Sequence, residues 1–560
     1  MIKSIGGFIL IIAALIVVNL ITSTIFYRLD LTAEKRYTLS DNTKNLLLST
    51  DSVIHFDIYL EGDLNSGFRK LASATRDMLD EMDVYANEGI DYDLIDPNTG
   101  TAQKKKELYT KFKKLNLEPV PVFETAEDGR KTQTMVFPYA IVTYNGKKAV
   151  IDLLDNITGY SGSENLNKSI EGLEYKLIMG IRKLVQNEKP RIAFLEGHGE
   201  LDELDVMDAT AALSEFYKVE RGVVGSDPDI LNPYKVLIIA KPSQLFSEKD
   251  KFIIDQYFMN GGRILWLIDA VNITLDSLMR TSETIGLMSD YNLRDQLFKY
   301  GIRINPELIE DIQAARIKIN ASPPGQPPRL VDVPWLFNPL LLPNDNFSVT
   351  RSINVVKGEF VSTVDTVGED LMVNRTMLLT TSKYTKLDQV PVYVTLSFVN
   401  EQPVRESFNK SFVPVAYAEE GIFPSVFKNR MVPKGIQIDA DQVRYESVPT
   451  RMIVVADGDV IRNKVRYRYS NPQIMPLGYD EASGQEFGNK EFIINAVSYL
   501  ADDEGWMDLR GRNYKLRLLD KDKLSRQTTF WKTINMVLPV ILIILMGLLL
   551  RYIRIRLYVK

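Results

Sequence analysis

Two uncharged apolar stretches, one near each end of the chain, limit most strongly what this sequence can fold into. Residues 4–27 carry no charged side chain, and residues 533–550 form a second uncharged run. About 20 apolar residues in a helix cross the hydrocarbon core of a bilayer, so both stretches predict transmembrane helices. A cleaved signal peptide at the N-terminus and a pair of buried core helices are the alternatives. The first run exceeds the apolar region of a signal peptide, which is about 7–15 residues, and no Ala-x-Ala cleavage site follows it.

Basic residues beside the second stretch predict the orientation of the chain. The segment after it carries Arg551, Arg554, Arg556 and Lys560, and positive residues close to a span favour the cytoplasm. Basic residues also precede this stretch, but they belong to a long loop, and long loops cross membranes with little regard to charge. We therefore expect an inner-membrane protein with both termini in the cytoplasm and its bulk, residues 28–532, in the periplasm.

Composition excludes several classes of function. With a net charge of −6, the chain lacks the excess of basic residues that is typical of nucleic-acid-binding proteins. The chain has no cysteine, which rules out thiol catalysis, disulfides and cysteine-based metal centres. No G-x-x-x-x-G-K-[ST] loop is present to cradle phosphates. We therefore expect a protein without a cofactor that is not itself an ATPase.

The first large segment, residues 35–158, has the element order strand, helix, strand, helix and then two strands. Polar and apolar residues alternate in VIHFDIYL, which is typical of a strand, and Asn145-Gly146 suits a type I′ turn between the last two strands. This order resembles a thioredoxin-like domain. Redox members of that family require Cys-x-x-Cys after the first strand, and EGDLNSGF stands there, so we expect no redox chemistry. His55, on the polar face of the first strand, is expected to be a surface or packing residue.

The rest of the chain predicts an α/β architecture. A helix at residues 163–188 is expected to join two domains, and its apolar stripe indicates ordinary packing rather than a coiled-coil partner face. Residues 189–270 contain a βαβ unit, which predicts a parallel sheet, and residues 450–505 are predicted to complete that sheet. Residues 271–449 are predicted to be an insertion or an additional mostly-β domain, and residues 506–532 a membrane-proximal segment. The predicted fold class is therefore α/β, as a multidomain α+β chain flanked by two transmembrane helices.

The stretches KVLIIAKPSQLFSEKDKF and NGGRILWLID resemble the class I glutamine-amidotransferase-like superfamily. Enzymes of that superfamily place a cysteine nucleophile on a sharp strand-to-helix turn, and this chain has none. A serine nucleophile would need an adjacent base and a strained, glycine-flanked turn. Ser243 follows Lys-Pro and lacks flanking glycines, whereas Ser247 begins SEKD, which is typical of a helix N-cap. We therefore assign no catalytic residue.

Five side chains are expected near the carboxyl ends of the sheet strands, where open α/β sheets bind ligands. They are Glu196, His198, Asp269, Asp457 and Asp459. One histidine with several carboxylates could form a hydrolytic metal site, but turns after strands often contain aspartate for conformational reasons alone. We therefore favour plain turn structure for the five residues, keep a vestigial or ligand-binding crevice as a candidate, and assign no metal or cofactor to them.

Longer stretches resemble the GldG family, the gliding-motility-associated auxiliary proteins of bacterial ABC transporters. They are YLEGDLNSGFRKLASATRDMLDE, LNKSIEGLEYKLIMGIRKL, KPRIAFLEGHGEL, SVFKNR and MPLGYDEASGQEFGNKEFIINAVSYLADDEG. The resemblance implies a multi-pass, GldF-like permease as a partner and, through it, a GldA-like cytoplasmic ATPase. It also implies a role in gliding or in the secretion associated with gliding.

These observations predict a non-enzymatic, membrane-anchored auxiliary subunit of an ABC transporter. Its external domains would act as a stalk or receptor for the permease, because both ends of the external mass are tied to the membrane. Two other functions are left open. One is an extracytoplasmic receptor for a peptide, glycan or lipid, and the other is a hydrolase that uses His198 and nearby carboxylates.

Overall fold

The computed structural model of this protein describes residues 38–115, 117–125, 131–186, 188–320, 322, 326–368, 372–400, 403–439, 441–468, 471–510 and 527–558. The predicted N-terminal span, residues 4–27, lies outside the described residues. Those that are described fall into two compact units, residues 38–510 and residues 527–558.

The first part of the larger unit contains a four-stranded sheet and a separate hairpin. Its elements are α1 (Asp41–Leu48), β1 (Ile54–Ile58), α2 (Ser66–Asp83), β2 (Ile90–Leu94), α3 (Ala102–Lys114), β3 (Val120–Thr125), β4 (Lys131–Val136), β5 (Tyr139–Tyr144) and β6 (Lys147–Asp152). The sheet has the order β2-β1-β5-β6, with β1 parallel to β2 and antiparallel to β5. Asn145 and Gly146 join β5 to β6 with φ angles of 47° and 76°, which confirms the predicted type I′ turn.

Helices pack on both faces of this sheet. On one face, Leu71 of α2 lies in the same core as Phe56 of β1. On the other face, the ring of Phe112 in α3 packs against Tyr59, with ring centroids 4.8 Å apart. His55 lies on the polar side of β1, and its side chain is 34% exposed. It therefore occupies a surface position, as expected from the alternation of the strand.

The segment predicted as one helix, residues 163–188, forms two helices. They are α4 (Gly162–Glu171) and α5 (Leu173–Val185), and they meet at Gly172. Glycine interrupts helices because it loses more backbone entropy on folding than other residues. Leu177 of α5 is buried in the core of the first sheet, so the segment belongs to that core and does more than link two domains.

A second, mixed sheet lies at the centre of the larger unit and has ten strands among the described residues. They are β7 (Arg191–Glu196), β8 (Lys218–Val223), β9 (Val236–Ala240), β10 (Arg263–Leu267), β15 (Ala314–Asn320), β16 (Leu330–Pro343), β17 (Val356–Lys357), β19 (Val373–Thr380), β22 (Pro414–Gly421) and β23 (Thr450–Val455). Neighbouring strands β8, β7, β9, β10 and β23 are parallel. The parallel pairing of β10 with β23 confirms that the chain after residue 450 continues the predicted sheet.

Continuous apolar runs specify the parallel strands, because strands of this kind are covered on both faces. All residues of β9 are buried. Helix α7 (Glu248–Met259) covers one face, and α6 (Met207–Leu213) and α10 (Asn489–Ala501) cover the other. Ser247 accepts a hydrogen bond from the backbone N–H of Asp250, which confirms its predicted role as the N-cap of α7.

Residues 271–449 are rich in β-structure, as predicted, and they extend the central sheet instead of folding apart from it. Strand β22 pairs antiparallel with β23, and β19, β16 and β15 follow in antiparallel order. The remaining elements of this segment are β11 (Val271–Asn272), α8 (Leu275–Thr281), β12 (Glu283–Met288), α9 (Arg294–Tyr300), β13 (Ile302–Asn305), β14 (Glu307–Asp311), β18 (Thr363–Thr366), β20 (Thr385–Gln389) and β21 (Val392–Thr395). After β23 come the short strands β24 (Val465–Arg468) and β25 (Asn471–Ile474).

The start of the predicted membrane-proximal segment belongs to the larger unit. Helix α11 (Trp506–Arg510) buries Trp506 and Leu509 in the core of the first sheet, because these side chains are too apolar to remain in water. Residues 511–526 of that segment lie outside the described residues.

The second unit consists of a long apolar helix, α12 (Thr528–Tyr558). Residues 528–556 have the length and composition to cross a membrane, and an 18-residue window within them has a mean hydropathy of 2.6. The large apolar side chains of α12 are exposed, which is the surface that a bilayer or a membrane partner covers. The prediction of an apolar helix of spanning length near the C-terminus is confirmed.

Candidate functional site

Three predicted carboxylates meet at the carboxyl edge of the central sheet. Asp269 follows β10, and Asp457 and Asp459 follow β23. Their oxygen atoms lie within 4.8 Å of one another. The two strands are parallel neighbours, so the loops that leave them emerge at the same edge, and this is why the sequence could place the three side chains together.

Lys241, which the sequence analysis did not single out, is the cation of this cluster. It follows β9, and its Nζ atom lies 2.9 Å from Asp269 Oδ2 and also contacts Asp459 Oδ2. Burial disfavours the charged form of Lys241, but Asp269 and Asp459 outweigh that effect and hold its pKa above the ordinary value. Gly458 permits this approach, because a Cβ atom at that position would lie 2.6 Å from Lys241 Cβ.

Asp457 and Glu359 bring the carboxyl groups of the cluster to four, against Lys241 and Arg462, whose Nη1 atom lies 3.6 Å from Asp459 Oδ1. The buried Asp457 accepts hydrogen bonds from the backbone N–H groups of Glu359 and Asp459, at 2.9 and 2.8 Å. Burial and then the neighbouring carboxylates raise the pKa of Asp457 well above its usual range. Burial and the charge of Asp459 also raise the pKa of Glu359. Asp457 and Glu359 therefore hold protons more tightly than free carboxyl groups do. Together with Lys241, Asp269 and Asp459 they form the charge cluster.

Glu196 and His198 do not join these three aspartates. Within the part of the chain that the structure describes, the group of carboxylates within 4.8 Å contains neither residue. Glu196 Oε1 accepts a hydrogen bond from Arg221 Nε at 2.7 Å. The predicted crevice of five residues is therefore divided, because β7, which carries Glu196, is separated from β10 by β9.

His198 is held by its own partners. Its ring nitrogens lie 3.1 Å from Glu200 Oε1 and 3.3 Å from Asp250 Oδ2, and its ring stacks on Phe246 with centroids 3.7 Å apart. Burial opposes protonation of His198, but the two carboxylates outweigh it and raise the pKa above its ordinary value. Because both nitrogens are engaged, the side chain offers no free nitrogen to act as a general base.

A charged cavity of about 410 Å³ adjoins the cluster and is lined in part by Glu359 and Asp459. Ion pairs link the charged side chains of its wall. Lys357 Nζ lies 2.8 Å from Asp480, and Arg466 Nη2 lies 2.6 Å from Glu481. A charged ligand would have to break such ion pairs in order to bind. The charged side chains of the wall therefore stabilise the structure and do not form a preorganised binding site.

A second group that could hold a cation lies on the exposed side of the first sheet. His55, Asp57 and Asp93 bring their ligand atoms within 4.8 Å of one another. Their side chains are 34%, 21% and 72% exposed, and hydrated carboxylates of this kind commonly occur without an ion. Nothing else among the described residues points to a ligand there.

Taken together, these features define an α/β protein with a buried charge cluster at its sheet edge and an apolar helix of membrane-spanning length. Residues 189–496 match a family described as an ABC-type uncharacterized transport system, whose members are auxiliary proteins, and residues 33–143 match a domain of unknown function, DUF7088. The first match covers more than half of the chain, which therefore belongs to this family of ABC transporter auxiliary proteins.

Other comparisons add little. None of the curated proteins matches the chain. Among solved structures, the "mmIFT52 N-terminal domain" is 12% identical, covering 56% of this chain and 98% of that chain, with a TM-score of 0.31. A likeness of this size supports no argument about fold or function.

Proposed function

We propose that this protein is a non-enzymatic, membrane-anchored auxiliary subunit of an ABC transport complex. Membership of the auxiliary family over residues 189–496 carries the proposal. The exposed apolar surface of α12 supports it, since a helix of this kind requires a bilayer or another membrane helix around it.

We further propose the finer assignment that the sequence favours. The resemblance to the GldG family supports a role in gliding motility, with a GldF-like permease and a GldA-like ATPase as partners. Residues 4–27 would supply the second span, both termini would lie in the cytoplasm, and the larger unit would lie in the periplasm as a stalk or receptor for the permease.

The same proposal extends to the parts of the larger unit. The order β2-β1-β5-β6 with parallel β1 and β2 supports a thioredoxin-like domain without its redox motif at residues 35–158. The parallel strands β8, β7, β9, β10 and β23 support an amidotransferase-like sheet without its nucleophile. In this reading the fold is retained and its chemistry is absent.

The contacts of the candidate residues support a function other than catalysis. His198 has both ring nitrogens engaged, Lys241 occupies the centre of the aspartate cluster, and Ser247 caps a helix. A nucleophile must be accessible and lie beside a base, and a general base needs an acceptor atom that is not already engaged. None of the three side chains meets these requirements.

Co-purification tests the proposal directly. The tagged full-length chain, extracted from its native membrane in mild detergent, should retain a permease and an ATPase subunit. A matched control is the same chain with Ile543→Asp and Leu548→Asp in α12, which should lose the membrane partners if that helix contacts them. Recovery of the wild-type chain without any permease would contradict the proposal.

Cysteine labelling tests the orientation, because the chain has no cysteine and gives no background. In spheroplasts, Lys410→Cys in the larger unit should react with a membrane-impermeant maleimide, whereas Lys560→Cys should react only after lysis. The opposite pattern would place the larger unit in the cytoplasm.

A further inference from the structure

A second cavity, of about 620 Å³, is lined in part by Asp269. It is formed by α9, β13, the loop after β10 and the loop at residues 426–430. Its apolar wall includes Ile268, Leu293, Leu297, Phe298, Ile302 and Ile304. The volume falls within the range of about 300–1,000 Å³ that is usual for small-molecule sites, and the wall has the predominantly apolar character of such sites.

The rim of this cavity is strongly basic. Its lining contains five cationic residues, Arg294, Lys299, Arg303, Lys428 and Arg430, and two acidic ones, Asp269 and Asp295. Partners elsewhere already satisfy both acids, since Asp269 binds Lys241, and Asp295 binds Lys251 at 2.8 Å. The local charge is therefore positive beside an apolar surface.

Three of these cations have no carboxylate partner among the described residues. Arg303 pairs with Asp365 and Arg430 pairs with Asp295, whereas Arg294, Lys299 and Lys428 are exposed and form no ion pair with a described residue. Exposed cations at the mouth of an apolar cavity complement a ligand that has a negative end and an apolar body.

The interior favours an acyl chain over a peptide. Each buried peptide group requires hydrogen-bond partners, and apart from the seven charged residues named above the lining has only two polar side chains, those of the half-buried Tyr291 and the buried Ser289. A methylene chain needs no such partners and gains from removal of its surface from water.

We propose that this cavity binds a single acyl chain with an anionic head group, with the chain against the exposed Phe298 and the half-buried Ile304 and the head group at Lys299 and Lys428. A carboxylate or a phosphate satisfies the same cations, so a free fatty acid and a lysophospholipid share this chemistry. The proposal concerns the purified chain alone, and it stands or fails independently of the transporter partners proposed above.

Isothermal titration of the full-length protein in phosphatidylcholine nanodiscs tests the proposal. The probes are decanoate, decyl phosphate and decylammonium, each below its micellar concentration, with empty nanodiscs as the blank. We expect saturable binding of at least one anionic probe and binding of decylammonium that is weaker by about tenfold or more. If decanoate binds more tightly than decyl phosphate, the head group is a carboxylate, and the reverse order identifies a phosphate. Equal binding of decylammonium, or no saturable binding of either anion, would overturn the proposal.

Charge reversal locates the head group. The double variant Lys299→Glu/Lys428→Glu should weaken binding of the anionic probe by about tenfold or more. The matched control Lys383→Glu/Lys410→Glu changes two exposed lysines outside the cavity lining by the same charge and should bind as the wild type does. An equal loss in both variants would mean a general charge effect and would count against the site. If the first variant does not fold, Lys299→Gln/Lys428→Gln replaces it with the same expected direction.

Cavity filling locates the chain. Ile304→Trp should abolish binding of the anionic probes without lowering the melting temperature, because residue 304 is half-buried in the wall. Unchanged affinity in this variant would exclude the cavity as the site. Tighter binding of N-acetyl-trileucine than of decanoate would identify a peptide site and would likewise overturn the proposal.

Discussion

At the residue scale, Lys241 stabilises the buried aspartates at the carboxyl edge of the central sheet. Its ammonium group contacts both Asp269 and Asp459, and its side chain is only 13% exposed. A buried ion pair contributes little net stability compared with apolar packing, but removal of one partner leaves a buried charge without compensation. The lysine is therefore a structural requirement of the aspartates around it.

Lys241→Met should lower the free energy of unfolding by about 3–5 kcal/mol. Denaturant unfolding of the full-length protein in detergent measures the change. Lys218→Met is the matched control, because its ion pair with Glu220 is exposed and should contribute less than about 1 kcal/mol. Adding Asp269→Asn to Lys241→Met should restore part of the loss, and a double variant less stable than the single one would contradict this account of the cluster.

Glu419 should make the stability of the protein depend on pH. Burial, only partly offset by Arg375, raises its pKa to about 7. Between the unfolded pKa, about 4.3, and pH 7 the folded state holds a proton that the unfolded state has released. The protonated Glu419 therefore gives its full stabilisation below about pH 4.3. This stabilisation declines as the pH rises and is lost as the pH passes about 7.

Glu419→Gln removes this proton and its pH dependence. As the pH rises from about 5 to about 8, the free energy of unfolding of the wild type should fall relative to the variant by about 3 kcal/mol. Unfolding curves at several pH values measure the difference. Glu420→Gln, next in sequence but 44% exposed, is the control and should show a smaller change. A difference between wild type and Glu419→Gln that is constant with pH would show that Glu419 is ionised throughout.

At the scale of elements, the edge that carries the cluster depends on a close contact between α10 and the chain before β17. The N–H of Gly488 donates to Val355 O at 2.9 Å. A Cβ atom at residue 488 would lie 2.3 Å from the backbone oxygen of Asn354, and a backbone atom cannot move aside as a side-chain tip can. Glycine is therefore needed there for close approach.

Gly488→Ala should lower the free energy of unfolding by about 1–3 kcal/mol, as overpacking does in other cores. Gly162→Ala, at the start of α4, is the matched control, because its added Cβ atom would meet nothing within 4 Å. Thermal unfolding of both variants gives the comparison. Equal melting temperatures would show that the contact between α10 and Asn354 yields easily.

The same scale shows which features the sequence could predict. Strands β9, β10 and β23 were predictable because an apolar run followed by a turn leaves few alternatives. Strand β8, KVERGV, was missed because an edge strand tolerates charge. Helix α6 begins only at Met207, some residues after β7, and the N–H of Leu201 in the intervening turn donates to Ala240 O on β9.

The candidate site follows the same division. Asp269 and Asp457 could be paired from the sequence, because each directly follows a strand of one parallel sheet. The role of Glu359 depends on a contact across 98 residues, from its N–H to Asp457 Oδ2. The role of Lys241 depends in part on its contact with Asp459, which lies 218 residues away. His198 was misplaced because Glu200 and Asp250 hold its ring, and because β9 separates β7 from the strands that carry the aspartates.

At the scale of the whole molecule, the hydrophobic cores and the helix of membrane-spanning length belong to different parts of the chain. Every hydrophobic core found among the described residues is formed by side chains of residues 38–510. Helix α12 keeps its apolar side chains exposed, so it adds surface that water disfavours and no core. We therefore expect the folding of residues 38–510 not to depend on this helix.

A chain of residues 38–510 should be soluble and should unfold at a melting temperature close to that of the full-length protein. Calorimetry and fractionation after carbonate extraction measure these two properties. A chain of residues 38–560 should return to the membrane fraction, because α12 alone has spanning length. Adding Ile543→Asp and Leu548→Asp to it should reverse that return, since each aspartate at the centre of a span costs about 2.5–3.5 kcal/mol. Membrane retention of the 38–510 chain, or a large fall in its melting temperature, would mean that attachment and folding are not separable in this protein.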